Sequence, residues 1–316
     1  MAGSTNPTQR LLRRLNRLFS KRNEYFECVT RSPSDGFEYS LRSGEVVYNQ
    51  FHGYNDFTGK IVLDFGCGRG GKTVYYATRG PQHVIGVDVE NDQSEARDWA
   101  RRRGLDVTFI TLRRDGSIRL PDRFCDVVIN SSVLEHVADP GATFAELSRV
   151  LKPGGLLLNR WHPYRTRYGA HLGAALRIPF AHHVFSEAAL VRAYHDRVVE
   201  RFGDVPAILG PVNARSRSFS DLAFHLNRVT VRQMRLALHS AGLALLERRF
   251  LRNTRELASA RLIPERIVDY FIDYEVQICR IAATPMRMTT RRRRMMRFAI
   301  PAIGGGVHEP NIPQPV

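Results

Sequence analysis

The sequence predicts an α/β fold built on a doubly wound, mainly parallel sheet, and two observations carry that reading. Ile61, Val62 and Leu63 form a short apolar run that gives way at once to glycines, the pattern of a buried parallel strand ending in a tight turn. Further short apolar runs recur at 83–87, 107–111, 125–130 and 156–159. Helical patterns separate them, at 94–103 and in the stretch that begins with Asp139 and Pro140 and carries Phe144, Leu147 and Val150 at helical spacing. Strands alternating with helices are the signature of parallel crossover units. Asp139 reads as an N-cap with Pro140 as first helical residue, and Lys152-Pro153-Gly154-Gly155 reads as the stop and turn that follow.

The first strand sets the chemistry. Residues 60–71 read Lys-Ile-Val-Leu-Asp-Phe-Gly-Cys-Gly-Arg-Gly-Gly, and a helix is predicted from Lys72 onward. Glycines lacking a β-carbon let the backbone take positive φ and let a ligand approach the main chain. Gly66, Gly68 and Gly71 satisfy the spacing of dinucleotide turns, where a pyrophosphate sits on a helix N-terminus. Asp64 argues against that ligand, because a carboxylate aimed into the cradle repels an anion. A ligand carrying an ammonium and a sulfonium suits it instead.

Asp64-Phe65-Gly66-Cys67-Gly68-Arg69-Gly70 resembles the first motif of the class I S-adenosylmethionine (SAM) methyltransferases, in their small-molecule, type 11-like branch. Val84-Ile85-Gly86-Val87-Asp88 resembles the second strand with its terminal acid. Cys125 to Asn130, Val133-Leu134-Glu135-His136-Val137 and Arg149 to Leu156 resemble the fourth strand, the loop after it and the turn into the fifth. The resemblance covers about 59–159 and implies a Rossmann-like sheet of seven strands. It implies SAM as cofactor, with Asp64, Phe65, Gly66, Cys67, Gly68, Gly70, Asp88, Val89, Asp115, Gly116, Asn130 and Ser131 around it. Asp88, about 24 residues beyond Asp64, stands where an acid can take both ribose hydroxyls. Asp115 and Gly116 fall near the adenine, and Ser131 and Ser132 stand where a nitrogen-methylating enzyme would carry Pro-Pro-aromatic.

Organisation follows from composition. The chain divides into a basic and aromatic extension (1–58), the SAM-binding core (59–160) and an insertion expected to cap the substrate (161–225). The remainder of the fold (226–283) and a basic tail expected to be disordered (284–316) complete it. The helix 230–241, the strand 243–250, a helical connector over 251–273 and the strand 274–282 are the predicted last elements. Basic residues outnumber acidic ones 9 to 6 in 1–60, 14 to 13 in 61–160 and 24 to 12 in 161–316. The core is nearly neutral, and the excess lies in flanks that can meet an acidic partner.

Residues 10–22 form a basic amphipathic helix with Leu11, Leu12, Leu15, Leu18 and Phe19 on one side and no acid. The favoured reading is a helix packed on the domain or across the cleft; the other is docking to an anionic membrane surface. No apolar run reaches the length of a signal peptide or membrane span, so a cytoplasmic protein is expected, peripheral at the inner membrane face if that helix docks. Cys28, Cys67, Cys125 and Cys279 show no paired spacing, and neither zinc nor disulfides are expected.

The insertion clusters histidines and aromatics: Trp161-His162-Pro163-Tyr164, Tyr168 to His171 and Pro179 to His183. No acidic or cysteine ligand is interleaved among them, so no metal is expected. His171, His183 and, in the core, His136 are the candidate general bases. The sequence thus points to SAM-dependent methyl transfer, expected at oxygen, onto a small-molecule or lipid-linked acceptor. A SAM-binding regulator without catalysis, and an RNA methyltransferase guided by the basic flanks, are the alternatives, although no nucleic-acid-binding module is recognisable.

Overall fold

A computed structural model describes residues 6–19, 32–90, 92–203, 215–219, 226–252 and 254–281. Cys28, residues 20–22 of the basic stretch and the whole basic tail lie outside them.

One eight-stranded sheet organises the chain, in the order β3-β2-β1-β4-β5-β8-β6-β7. The strands are β1 (Ile61–Phe65), β2 (His83–Asp88), β3 (Val107–Thr111), β4 (Cys125–Ser131), β5 (Leu151–Trp161), β6 (Leu243–Arg252), β7 (Arg255–Glu256) and β8 (Tyr274–Ile281). Pairs among β1 to β5 are parallel, and β8 turns antiparallel against β5 and β6. The seven expected strands become eight because β6 folds back through a two-residue pairing with β7. The expected helical connector is instead this hairpin and two 3-10 turns, Ala258–Leu262 and Val268–Tyr270.

Both faces of the parallel half are covered, as its continuous apolar strands require. Side chains alternate along β1: Leu63 and Phe65 join one core with Phe144, Leu147 and Met234, while Val62 joins another with Tyr76, Phe57 and Ile129. Helix α5 (Pro140–Val150) starts as the sequence suggests, Asp139 Oδ1 accepting from the N–H groups of Gly141 and Ala142 at 2.8 and 3.0 Å. Its end differs. The strand resumes at Leu151, and Lys152 to Gly155 form an irregularity inside β5, where Cys125 pairs with Leu151 and Val127 with Leu156. A register shift of this kind absorbs extra residues without ending the pairing.

A separate core holds the insertion. The N-terminal helix α1 (Pro7–Phe19) packs on helix α7 (Glu187–Phe202), with Leu12 fully buried beside Leu172, Leu190 and Tyr194. Polar side chains fix its register: Gln9 Nε2 donates to the Ala189 carbonyl at 3.0 Å and Asn16 Nδ2 to that of Ala175 at 2.8 Å. Of the apolar side expected from the sequence, only Leu12 and Leu15 pack within the protein, alongside Gln9 and Asn16, because the buried face of the helix is rotated away from Leu18 and Phe19. Leu11, Leu18, Arg10, Arg14 and Arg17 point outward.

Candidate functional site

The parallel half has its switch point between β1 and β4, and open sheets of this kind bind ligands outside the carboxyl ends of the strands at that point. Register brings the candidate residues together there. Phe65 pairs with Val87 on one side and Asn130 on the other, so Asp64, Asp88 and Asn130 come from the ends of three adjacent strands.

The glycine turn is held by β2. Gly66 and Cys67 donate to the Val87 carbonyl at 2.7 and 3.1 Å, and the Gly68 N–H donates to Asp88 Oδ2 at 2.7 Å. Gly66 has φ +75° and Gly68 φ +52°, left-handed values that favour glycine. A β-carbon at Gly66 would lie 2.1 Å from a methyl of Val133. Gln93, 3% exposed, closes the outer side by donating to the Gly68 carbonyl at 3.0 Å. Helix α3 (Gly71–Ala77) follows directly.

Asp64 is 1% exposed; Thr73 Oγ1 donates to its Oδ2 at 2.6 Å, and its Oδ1 has no partner among the described residues. Burial pushes its carboxyl up to about 6, with Lys72 opposing. Lys72, in the first turn of α3, is itself lowered by burial and raised by Asp64. Asn130 is fully buried, neither amide atom having a partner among the described residues, and Ser131 is buried beside it. Val89 stands 70% exposed past Asp88. Asp115 is exposed in the turn before Gly116, its carboxylate accepting from the Ser117 N–H and hydroxyl at 2.9 and 2.7 Å, which hold it below the usual carboxylate range. Cys67 is buried and its thiol raised by that burial.

Next to this crevice lies a histidine group that sequence order disperses. His162 Nδ1 and His171 Nε2 are 2.9 Å apart, and His162 Nε2 is 2.6 Å from Thr166 Oγ1. The His136 ring stands against that of His171 with centroids 5.0 Å apart. Burial holds His171 well below the ordinary imidazole range and His162 at about 3. Glu135, buried, points into the same group. Arg160 borders it, donating to Ser132 Oγ at 2.8 Å with its guanidinium 3.5 Å from the Tyr274 ring centre. His183 does not join: it packs on His182 and Tyr270, centroids 4.1 and 5.4 Å away. Sequence reasoning gives Thr166, Arg160 and Lys72 no role, and names His162 only as part of the insertion's histidine cluster. Glu135 stood in a recognised motif, and only its adjacency to His136 marked it.

Residues 63–159 match the family described as a methyltransferase domain. The matched residues run from β1 into β5 and include the glycine turn described above. Two curated relatives are named ubiquinone biosynthesis O-methyltransferase. The one from Dinoroseobacter shibae is 36% identical over 105 residues, which is 33% of this chain and 42% of the relative. The one from Maricaulis maris is 36% identical over 107 residues, 34% of this chain and 42% of the relative. The chain thus spans about two fifths of the length of these relatives. A solved SAM-dependent methyltransferase from Mesorhizobium loti is 19% identical, with a TM-score of 0.45 over 77% of this chain and 96% of that one.

Proposed function

We propose that the protein transfers a methyl group from SAM to an oxygen of a small-molecule or lipid-linked acceptor. One observation carries the reading: two carboxylates, Asp64 and Asp88, bracket a left-handed glycine turn at the switch point of the sheet. A dinucleotide turn gains nothing from Asp64, whose buried Oδ1 lacks a partner among the described residues. An ammonium group supplies one.

The residues present fit SAM. Asp64 would meet the ammonium, Asp88 the ribose hydroxyls, and Asn130, both amide atoms unpartnered among the described residues, would donate and accept beside them. Phe65, Gly66, Cys67, Gly68 and Gly70 would form the wall against the cofactor, Val89 and Ser131 its flanks, and Asp115 with Gly116 the adenine side. When bound, SAM supplies a methyl on a sulfonium. The chain's own task is then to hold an acceptor oxygen in line with that methyl, and such positioning is worth roughly 7–11 kcal/mol. His171, kept neutral by burial, and neighbouring His136 would stand on the acceptor side and receive its proton, a role for which His183 is set apart.

The relatives named for an O-methyltransferase reaction support oxygen as the target. The outer face of α1 supports a lipid-linked acceptor: Leu11 and Leu18 are 47% and 78% exposed among three arginines and no acid. Such a face docks on anionic membrane surfaces.

Calorimetry of SAM, its demethylated product and NAD with the purified protein tests the reading. SAM is expected to bind, and Asp88→Ala to weaken it roughly 10–150-fold, the worth of one hydrogen bond to a charged group. NAD binding in place of SAM, or SAM affinity unchanged in the variant, would overturn it.

A further inference from the structure

Glu135 is 3% exposed, and among the described residues no side chain hydrogen-bonds either carboxylate oxygen; the nearby backbone N–H groups of Glu135 and His162 favour its charge. Burying an ionised carboxylate without a compensating partner is costly. Arg160, whose field reaches it, directs its guanidinium elsewhere, to Ser132 Oγ and the Tyr274 ring. Two imidazoles face the carboxylate, and one donor atom from each of Glu135, His136 and His171 lies within 4.8 Å of the other two.

We propose that Glu135, His136 and His171 bind a single divalent transition-metal ion of the zinc class. Ligands at about 2.1 Å from a tetrahedral ion stand roughly 3.4 Å apart, so side-chain rotation closes the group without moving the backbone. Two imidazole nitrogens and one carboxylate are a three-ligand set that leaves zinc an open fourth position. Imidazoles also turn selectivity away from magnesium and calcium, which prefer oxygen.

The surroundings are those of a built site. Metal-bound imidazoles usually make a hydrogen bond through the ring nitrogen opposite the metal, which orients the ring. His171 Nε2 stands 2.9 Å from His162 Nδ1, and His162 Nε2 stands 2.6 Å from Thr166 Oγ1, so the ion would take His171 Nδ1 with His162 as the outer partner. The loop carrying the other two ligands is pinned by Asn227, whose N–H donates to the Glu135 carbonyl at 3.0 Å. Its side-chain amide donates to the carbonyls of Leu134 and Val137 at 2.5 and 3.0 Å. Glu135 and His136 lie within the matched core and His171 outside it. The ion would therefore tie the insertion to the core.

The consequence for catalysis rests on the methyl-transfer reading; the metal site does not. With the ion bound, His136 and His171 would serve as its ligands instead of as proton acceptors, and an acceptor hydroxyl bound at the open position would lose its proton to water more easily, as metal-bound water does. The oxygen lone pair then forms the O–C bond while the C–S pair returns to sulfur, leaving a thioether and a methyl ether.

Full-length protein, stripped by chelator and titrated with Co²⁺ as a spectroscopic stand-in for zinc, tests the site. A saturable uptake of one ion per chain, with the visible bands of a four- or five-coordinate centre, is expected. Glu135→Gln and His171→Asn should abolish those bands, and His162→Asn should weaken binding roughly 10–100-fold, the usual effect of losing an outer partner. His171 lies in the insertion, so His171→Asn tests the site even if Glu135→Gln fails to fold. SAM calorimetry on the same samples separates the two proposals: cobalt bound without SAM leaves the metal site standing and removes the methyl-transfer reading. No saturable uptake by the wild type, or unchanged spectra in both ligand variants, would overturn the site.

Discussion

Adding one methyl group at Gly66 and one at Gly68 should have unequal effects. Both glycines are left-handed, at φ +75° and +52°, so an alanine at either costs about 1–2 kcal/mol through its β-carbon and backbone. The surroundings differ. At Gly68 the added carbon meets nothing within 4 Å, whereas at Gly66 it falls 2.1, 2.8 and 2.9 Å from Val133 Cγ2, Cγ1 and Cβ. Val133 is packed against the main core and precedes the buried Leu134, so it cannot simply rotate into solvent. Overpacking of this kind adds about 1–3 kcal/mol. Gly66→Ala should therefore lose about 2–5 kcal/mol and Gly68→Ala about 1–2 kcal/mol. For a chain of this size the difference reads as a gap of about 1.5–5 °C in melting temperature. Differential scanning calorimetry of the two ligand-free variants in one buffer measures it. Equal melting temperatures, or a lower one for Gly68→Ala, would refute the contact with Val133 as the reason Gly66 is glycine.

Two further outcomes follow from groups already described. Burial raises Asp64 from 3.8 to about 6, so the folded chain holds a proton there that the unfolded chain releases. Its contribution to stability is therefore full below about pH 4 and declines as pH rises through 6, by about 3 kcal/mol at most. SAM binding should run the other way, strengthening from pH 5 to 7 as the carboxylate ionises to meet the ammonium. Asp64→Asn should flatten both profiles in denaturant titrations and calorimetry, and persistence of both slopes in the variant would exclude Asp64 as their source. Leu12→Ala empties a fully buried position under α1 and should cost about 2–5 kcal/mol locally. Limited proteolysis within residues 7–19 should accelerate while SAM affinity holds, and unchanged cleavage would deny that Leu12 anchors the helix.

Local signals carried the parallel half of the fold. Ile61 to Leu63 followed by glycines, and Asp139 with Pro140, declare a strand end and a helix start within a few residues, because turn and cap chemistry is itself local. Lys152 to Gly155 show the limit of that logic. Proline and two glycines read as a turn, yet pairing with β4 on both sides keeps the segment inside β5 as a register irregularity. The two-residue β7 has no pattern to display, since its pairing depends on where β6 ends. The metal-like cluster was hidden for a different reason. A search for an acid interleaved among the insertion's histidines finds none, because Glu135 arrives from the loop after β4, in the core. In α1 the helix itself was plain but its buried face was not: Leu12 and Leu15 turn inward with Gln9 and Asn16 while Leu11, Leu18 and Phe19 stay exposed, because the surface near Ala189 that selects the face exists only once the chain is folded.

The seating of α1 on α7 also bears on synthesis. Gln9 and Ala189 are 180 residues apart in sequence. At about 5–20 residues per second, the first helix leaves the ribosome roughly 10–40 s before the surface that receives Leu12 exists. During that interval a basic, leucine-rich segment is exposed on a nascent chain whose remaining elements are still being made. Whatever first engages it, a chaperone or an anionic surface, does so in competition with a contact that arrives only after the parallel half of the sheet has been made, and the insertion's own core stays open at Leu12 until the competition ends.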